Sequence, residues 1–291
     1  MKATIAMLHP GDMGSAVGAC LAAKGERVIF ASEGRSAATR ARAESAGLQD
    51  CRTLKACVEA ADIVLSVCPP HGALELAREV AAAGFRGVYV DANAISPENS
   101  RTVGAIVSGA SAGAAGSDRQ GADYVDAGIV GPPPRGTARA RLFLAGPRAG
   151  RIAVLFEGTP MQPVVLEGEV GSASALKACY AAWTKGSTAL LAAIRVLARV
   201  EGVEAQLLEE WKRSQGDLPK RSENIVGHAH KAWRWIGEME EIAASFGAAG
   251  LPQGFHLASA DIYRLLEGFK DRTEPPVIDE VLAMIGGRSG R

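Results

Sequence analysis

The first residues with a chemical signature lie in a short glycine turn close to the N-terminus. The segment His9-Pro10-Gly11-Asp12-Met13-Gly14 follows an apolar run and precedes a helical pattern. In a Gly-x-Gly-x-x-Gly turn at such a place, backbone N–H groups and a helix N-terminus face a pyrophosphate closely, and His9 stands at the first glycine position. The segment predicts a dinucleotide site at Gly11, Asp12, Met13 and Gly14. The alternative is an ordinary strand-to-helix turn in a chain with 34 glycines.

The choice between NAD and NADP is expected at the end of the second strand. There the chain reads Ala31-Ser32-Glu33-Gly34-Arg35-Ser36. Glu33 would favour NAD, because a carboxylate holds the ribose 2′-hydroxyl. Arg35, flanked by the hydroxyls of Ser32 and Ser36, would instead bind a 2′-phosphate. We predict NADP as the cofactor, with a solvated cation at a helix start as the alternative reading of Arg35.

Short apolar runs that alternate with helical patterns must position these residues. The helical stretches Gly14–Lys24 and Ser36–Ala46 end at Gly25 and Gly47, as helices commonly do. This rhythm is typical of a mostly parallel sheet, and we predict an α/β fold with an N-terminal Rossmann domain at residues 1–167. Gly104–Gly121 is predicted as a helix end and a flexible surface loop. The predicted strands are Thr4–Leu8, Arg27–Ala31, Asp62–Val67, Gly87–Val90, Tyr124–Ala127 and Arg141–Leu144.

The second half of the chain is predicted to be all-helical. Ser172–Val200 contains no proline and reads as one long helix that is rich in alanine and leucine on most faces. Such a helix needs burial on more than one side, which a homodimer would supply. We therefore predict a helical domain for substrate binding and dimerisation at residues 168–291, with a frayed tail from Gly286. Further helical patterns cover Leu208–Arg213, Arg221–Ala244 and Phe255–Phe269.

Composition excludes several classes of partner. The number of lysines and arginines (32) equals the number of aspartates and glutamates (32). The chain therefore lacks the net positive charge that would attract nucleic acid or anionic lipid. No apolar run approaches the roughly 18 residues of a membrane span. Five cysteines, an odd number, favour reduced thiols in a cytoplasmic protein. His228 and His230 point apart on a helix, so no metal site is expected.

Four further segments stand in the order of a known family. They are Asp62–Pro70, Asp91–Pro97, Asp126–Gly131 and Gly171–Lys177. With the glycine turn they resemble the β-hydroxyacid dehydrogenase and 6-phosphogluconate dehydrogenase superfamily over nearly the whole chain. The resemblance implies that Cys68, Pro69 and Asn93 contact the cofactor, that Val130 and Gly131 contact the substrate, and that Lys177 is catalytic.

Two residues depart from the pattern of that superfamily. Val130 replaces the serine that would hold a substrate carboxylate, and Ala181 replaces an asparagine four residues after the lysine. The resulting apolar wall would admit a bulkier or less acidic substrate, such as an imine or a hydrophobic ketone. The segments Ser174–Lys177, Trp183–Gly186 and Glu238–Glu241 resemble a branch that carries a DUF1932 domain and is described as NADP-binding reductases.

Lys177 is the candidate general acid/base for hydride transfer, which needs a proton donor or acceptor at the substrate oxygen or nitrogen. On a helix, Lys177, Ala181 and Lys185 line one face, with Tyr180 and Thr184 beside it. We predict that these residues form the substrate site, and surface cations are the alternative reading of both lysines. The alternative functions are a 3-hydroxyacid dehydrogenase and a non-catalytic dinucleotide-binding sensor, while the predicted activity is an NADP(H)-dependent oxidoreductase.

Overall fold

A computed structural model describes residues 2–109, 121–270 and 272–287. The chain divides into two compact units, Met1–Ala178 and Cys179–Arg291. The boundary between residues 167 and 168 stays a prediction about the two domains. Parts of the predicted loop Gly104–Gly121 and of the C-terminal tail lie outside the described residues.

The first unit is built on one sheet of eight strands. Their order is β3-β2-β1-β4-β5-β6-β7-β8. Strands β1 to β6 run parallel to one another. Strand β7 runs antiparallel to β6, and β8 is parallel to β7. The order 3-2-1-4-5-6 is that of a Rossmann fold, so the predicted fold class is confirmed. The strands are Thr4–Leu8 (β1), Arg27–Phe30 (β2), Gln49–Asp50 (β3), Ile63–Ser66 (β4), Val88–Asp91 (β5), Asp123–Val130 (β6), Ala140–Ala145 (β7) and Met161–Val165 (β8).

Among the described residues of this unit, six α-helices accompany the sheet. The side chains of Ser36, Thr53 and Ser96 cap α2, α3 and α5 by accepting a backbone N–H three residues on. Gly25 and Gly47 adopt φ values of +83° and +79° just after α1 and α2, which confirms them as helix-ending residues. The helices are Asp12–Ala23 (α1), Ala37–Ser45 (α2), Leu54–Ala60 (α3), Ala73–Ala82 (α4), Pro97–Ser108 (α5) and Ala149–Phe156 (α6).

The core of the first unit covers both faces of the sheet. One cluster contains Ile5 and Val90, and a second cluster contains Val64. Because both faces are buried, the central strands are nearly continuous apolar runs, which is the pattern expected of parallel strands. Because β1, β2, β4, β5 and β6 run parallel to one another, their carboxyl ends meet at one edge of the sheet.

The second half is helical, as predicted. Helix α7 covers Ser172–Val200, the bounds that the sequence indicated, and it continues from the first unit into the second. Within the described residues, no helix combines the length and apolar character of a membrane span. The remaining helices are Glu204–Ser214 (α8), Leu218–Arg221 (α9), Trp233–Ala248 (α10), Gly254–Arg264 (α11) and Ile278–Ile285 (α12).

Two expectations about secondary structure were wrong. The predicted helix Arg221–Ala244 is broken, since α9 ends at Arg221, a 3-10 helix covers Val226–Lys231 and α10 begins at Trp233. Asn224 and Gly227 fall in this break and are poor residues for a helix interior. Strand β8 was not predicted because it contains Pro163, which a strand tolerates at the edge of a sheet.

Candidate functional site

The glycine turn connects β1 to α1 at the carboxyl edge of the sheet. His9 adopts a left-handed conformation, with φ +61°, and its carbonyl accepts the N–H of Gly11 at 2.7 Å. A Cβ on Gly14 would lie 2.7 Å from that same carbonyl, so Gly14 allows α1 to pack on the end of β1. A Cβ on Gly11 would meet no atom closer than 3.9 Å. The two glycines thus serve different purposes, and only Gly11 leaves its backbone open to a ligand.

A small cavity of about 150 Å³ adjoins this turn, between the ends of β1 and β2. Burial, assisted by the positive charge of Arg35, lowers the pKa of His9 to about 4. The imidazole is therefore neutral at pH 7, and its buried Nδ1 atom makes no hydrogen bond to the described residues. The cavity has room for one ring system rather than a whole dinucleotide. It is lined by Leu8, His9, Ala31, Glu33, Arg35, Leu54, Leu76 and Glu79.

The chain after β2 is held by the segment that follows β3. The backbone N–H of Ser32 donates to Asp50 Oδ1 at 3.2 Å, and that of Glu33 donates to the carbonyl of Arg52 at 2.8 Å. Arg52 itself adopts φ +69° and donates its N–H to Asp50 Oδ1. Asp50 thus fixes the turn that presents Glu33 to the cavity, a positioning role that the sequence did not reveal.

Arg35 and Ser36 occupy the start of α2. Arg35 is half-buried and lines the cavity together with Glu33, so the two residues predicted to decide cofactor preference lie at one cavity. The hydroxyl of Ser36 caps α2 by accepting the N–H of Thr39 at 3.2 Å. A bound phosphate would therefore share the Ser36 oxygen with the helix N-terminus, whereas Arg35 is itself a lining residue of the cavity.

Asn93 connects the ends of β4 and β5. Its Oδ1 accepts the N–H of Cys68 at 2.6 Å, its Nδ2 donates to Ser66 Oγ at 2.9 Å, and its N–H donates to Asp91 Oδ1 at 2.9 Å. Burial and the nearby Asp91 raise the pKa of the Cys68 thiol to about 12, so that thiol stays protonated. The side chain of Asn93 is buried. Through these hydrogen bonds it fixes the loop that contains Cys68 and the exposed Pro69.

Asp91 makes folding stability depend on pH. Full burial raises its pKa to about 7, an effect that the N–H of Asn93 opposes and the charge of Asp126 increases. Folded Asp91 therefore keeps a proton that the unfolded chain releases near the ordinary aspartate pKa of 3.8, so the free energy of unfolding falls as pH rises towards 7.

We expect Asp91→Asn to remove this dependence. From about pH 5 to about pH 8, the free energy of unfolding of the variant should rise by roughly 2–3 kcal/mol relative to the parent protein. Urea denaturation at each pH measures the difference. The exposed Asp217→Asn is the control, and a difference for Asp91→Asn that does not change with pH would contradict the assignment.

Asp126 anchors the helix that carries Lys177. It is fully buried at the centre of β6. Its Oδ2 accepts the backbone N–H groups of Gly171, Ala173 and Ser174 at 2.9, 2.8 and 3.2 Å. Its Oδ1 accepts the hydroxyls of Ser174 and Ser100 at 2.6 and 2.9 Å. A carboxylate at the N-terminus of a 29-residue helix accepts hydrogen bonds from its open N–H groups and interacts favourably with the positive end of its dipole.

The same face of β6 then contacts α7 at Gly128. A Cβ on Gly128 would lie 2.7 Å from the carbonyl of Ala173 and 3.1 Å from Lys177 Cβ, so only glycine allows this approach. Val130, two residues further, packs beside Phe143 and Ala173. Since Asp91 pairs with Asp126, Gly128 and Val130 lie beyond the end of β5. The structure thus brings the half-buried Lys177 and Val130 to one face of β6, and their sharing of a substrate site stays a prediction.

The loop after β6 contains a residue that the sequence analysis missed. Gly131, with φ +121°, turns the chain out of the sheet, and Pro134 is buried. Arg135 then donates to Asp12 Oδ1 at 2.6 Å, to the Asp12 carbonyl at 2.7 Å and to Ser15 Oγ at 2.9 Å. The three prolines before Arg135 indicate a stiff loop, but nothing in their spacing indicates its target on α1.

Lys185 lies within the second unit, in a polar and aromatic cluster. Its ammonium pairs with the buried Glu238 and lies 5.0 Å from the ring centre of Trp235. Its carbonyl accepts the hydroxyl of Tyr263 at 2.7 Å. The side chain is only 16% exposed, so the alternative reading of Lys185 as a surface cation was wrong. Its ammonium is already engaged by a carboxylate within the unit.

The other predicted substrate residues of the second unit differ in exposure. Tyr180 is half exposed, whereas Ala181 is buried. The hydroxyl of Thr184 donates to the carbonyl of Tyr180 at 3.1 Å, one turn back along α7. Among the three, Tyr180 offers a polar group to the surroundings and Thr184 uses its hydroxyl within the helix. Their contact with a substrate stays a prediction.

His228 lies in the short 3-10 helix that precedes α10. Its ring lies 4.8 Å from that of Trp235 at a tilt of 47°. Burial, with Lys231 and Lys185 adding to it, lowers its pKa. Within residues 2–109, 121–270 and 272–287, no three histidine, cysteine or acidic side chains cluster as metal ligands.

Two families match separate parts of this chain. Residues 4–94 match the family described as NADP oxidoreductase, coenzyme F420-dependent. Residues 198–266 match a domain of unknown function, DUF1932. An uncharacterized 28.5 kDa protein of Methanothermus fervidus is 28% identical over 221 residues, which cover 73% of this chain and 80% of that protein.

Solved structures share the fold along nearly the whole chain. MTH1747, a protein of unknown function with structural similarity to 3-hydroxyacid dehydrogenases, is 26% identical with a TM-score of 0.65, over 91% of this chain and 97% of that one. The 3-hydroxyisobutyrate dehydrogenase of Mycobacterium tuberculosis is 20% identical with a TM-score of 0.71, over 99% of both chains. A reductive aminase of Aspergillus terreus, in complex with NADPH and ethyl levulinate, is 16% identical with a TM-score of 0.57, over 98% and 99%.

The strand order and the glycine turn define a Rossmann-type fold, and its N-terminal part is similar to an oxidoreductase family. The chain thus combines a segment similar to the NADP oxidoreductase family with a segment similar to DUF1932, in a fold also found in 3-hydroxyisobutyrate dehydrogenase. The resemblance predicted from the sequence is thereby confirmed.

Proposed function

We propose that the chain is an NADP(H)-dependent oxidoreductase with Lys177 as its general acid/base. The observation that carries the proposal is the fixed position of Lys177 beyond the end of β5. Asp126 caps the helix that contains Lys177, and the Cβ of Lys177 packs against Gly128. The glycine turn opens at the carboxyl edge of the same parallel sheet, which is where such folds bind dinucleotides. The open backbone at Gly11 supports binding of a pyrophosphate, and the cavity beside it supports binding of one ring of the adenosine.

In this site the nicotinamide would supply or accept a hydride. The chain must then move a proton at the substrate oxygen or nitrogen, and an ammonium group has the donors to do so. The Lys177 ammonium would donate a proton as a carbonyl or imine is reduced, and the neutral amine would accept one in the reverse direction. Reduction thereby yields a neutral alcohol or amine.

The substrate class follows from the residues next to Lys177. The side chain of Val130 packs in an apolar cluster and offers no hydrogen bond to a carboxylate. We propose a small ketone or imine in preference to a 3-hydroxyacid. NADPH oxidation against a panel of ketones and imines, compared with oxidation of 3-hydroxyacids by NADP, tests this. Efficient turnover of the hydroxyacids alone would favour a 3-hydroxyacid dehydrogenase.

For the cofactor we propose NADP over NAD, supported by the position of Arg35 in the cavity. Arg35→Ala should weaken NADPH binding by about tenfold or more, because a charge-assisted bond to the 2′-phosphate is lost, and should leave NADH binding unchanged. Titration of nicotinamide fluorescence measures both affinities. The exposed cation Lys55 on α3 provides the control, Lys55→Ala. Equal weakening of NADPH and NADH in Arg35→Ala would contradict this role.

We further propose a homodimer formed through the helical domain. Trp183, Leu190 and Leu197 are 65%, 60% and 61% exposed and stand seven residues apart on α7, the repeat of a helix-packing seam. Trp183 and Leu190 also line an apolar groove of about 640 Å³, together with Phe255. Three large apolar side chains in one exposed row are costly in water, and a second copy of this row would cover them.

Leu190→Glu should convert the dimer to a monomer, because it places a charge in the centre of that row. Sedimentation velocity measures the change. The control is Val154→Glu on α6, where a valine is 56% exposed outside the helical domain. A dimer that persists in Leu190→Glu, or a monomeric parent protein at micromolar concentration, would contradict the proposal.

The same proposal assigns residues 1–167 to cofactor binding and residues 168–291 to substrate binding and dimerisation. It also places the protein in the cytoplasm. All five cysteines are free, among them the exposed Cys179, which supports a reducing environment.

A further inference from the structure

The loop that follows β6 reaches across to the first turn of α1. Arg135 directs two guanidinium nitrogens at that turn, where the Asp12 carboxylate, the Asp12 carbonyl and the Ser15 hydroxyl accept its hydrogen bonds within 3 Å. Three acceptors fix both the position and the plane of the guanidinium. The loop is held at a second point by the buried Pro134, whose carbonyl lies 4.0 Å from Cys20 Sγ. Arg135 is therefore a held charge rather than a freely moving surface cation.

The contact between Arg135 and Asp12 offsets an electrostatic repulsion that is expected at the glycine turn. Asp12 is the first residue of α1, so its carboxylate is well placed for the helix dipole but stands where an anionic pyrophosphate would bind. Two negative groups about one helical turn apart repel each other. The guanidinium of Arg135 adds a positive charge at the same turn. Both side chains remain partly exposed, Asp12 at 28% and Arg135 at 48%, so an incoming anion would sense both charges.

We infer that Arg135 is an electrostatic component of the dinucleotide site, which balances Asp12 and so permits the pyrophosphate to approach α1. The inference rests on the proposed NADP(H) binding. It also gives a reason for the contact between two distant parts of the sequence. The loop that begins at the predicted substrate residue Gly131 contacts the predicted cofactor turn through Arg135. Arg135 thus acts on the phosphates, whereas Arg35 acts on the ribose end of the same ligand.

Two probes separate these roles in the full-length protein. NADPH carries both the pyrophosphate and the 2′-phosphate, while adenosine 2′-monophosphate lacks any 5′-phosphate. Arg135→Ala is expected to weaken NADPH binding about tenfold, which corresponds to about 1.4 kcal/mol, and to leave binding of adenosine 2′-monophosphate unchanged. Arg35→Ala is expected to weaken both. Fluorescence titration with NADPH, and competition by the monophosphate, measure the affinities.

Further variants distinguish a charge effect from a loss of loop structure. Arg135→Lys keeps the charge and should retain most of the NADPH affinity. The double variant Asp12→Asn with Arg135→Ala removes both charges and should bind NADPH more tightly than Arg135→Ala alone. The defect of Arg135→Ala should also shrink at about 1 M salt, because ionic screening acts over a few ångströms there. Arg139→Ala, an exposed arginine of the same segment, is the matched control and should bind NADPH normally.

The outcomes separate this inference from the proposed function. If the parent protein binds neither NADPH nor NADH, the dinucleotide function itself fails. If it binds NADPH and Arg135→Ala binds equally well, only the role of Arg135 is overturned. A defect that persists in the double variant and in Arg135→Lys, or that extends to adenosine 2′-monophosphate, would show that Arg135 serves loop structure and would likewise overturn the charge role.

Discussion

Lys177→Ala is expected to lower the rate of hydride transfer by about 10²–10⁴-fold, the usual contribution of a positioned general acid or base. NADPH affinity should not change, because Lys177 lies on α7 and the contacts proposed for the cofactor lie on the glycine turn and after β2. The substitution retains the Cβ that packs on Gly128, so the packing of α7 against β6 should be unchanged. The loss should therefore be one of chemistry rather than of folding.

Single-turnover measurements with the best substrate of the ketone and imine panel provide the readout. Lys177→Arg supplies the matched comparison, since it keeps a positive charge that does not give up its proton near neutral pH. We expect it to be nearly as slow as Lys177→Ala. Unchanged turnover in the alanine variant would remove Lys177 from the mechanism, and full activity in the arginine variant would reduce its role to charge alone.

Asp126→Asn is expected to lower the free energy of unfolding by about 3 kcal/mol. Five donors converge on this carboxylate, and an amide replaces one of its acceptor oxygens with a further donor. Buried N–H or O–H groups would then lose their partners, each at a cost of about 1–3 kcal/mol. Because the same donors fix the start of α7, turnover should fall as well.

Urea denaturation measures the stability of this variant. Asp123→Asn is the matched control, since it makes the same substitution at the first residue of the same strand, where the carboxylate pairs with Arg148 at a partly exposed site. That change should cost less than about 1 kcal/mol. If the two variants are equally stable, Asp126 does not anchor the helix.

The elements of this protein follow from local patterns. The bounds of α7 match Ser172–Val200, and the helix ends at Gly25 and Gly47 fall where glycine permits a left-handed residue. Such features depend on residues a few positions apart, which sequence displays directly. Strand β8 escaped because Pro163 resembles a strand breaker until its place at the sheet edge is known.

The candidate site was predictable only in part, because its decisive contacts join distant segments. Asp126 and Ala173 are 47 residues apart, Lys185 and Glu238 are 53 apart, and Arg135 and Asp12 are 123 apart. No periodicity encodes such pairs. The sequence placed Lys177 and the glycine turn through motif order, but it could not show that Asp126 caps a helix.

The exposure of the cysteines makes the protein open to chemical labelling at one chosen point. Burial raises the pKa of the thiols of Cys20, Cys57 and Cys68, so these groups stay protonated and shielded. Cys179 is exposed and stands two residues after Lys177 on α7. A maleimide fluorophore would attach there first, and its emission would report on the surroundings of Lys177, the proposed general acid/base, without any cysteine being engineered.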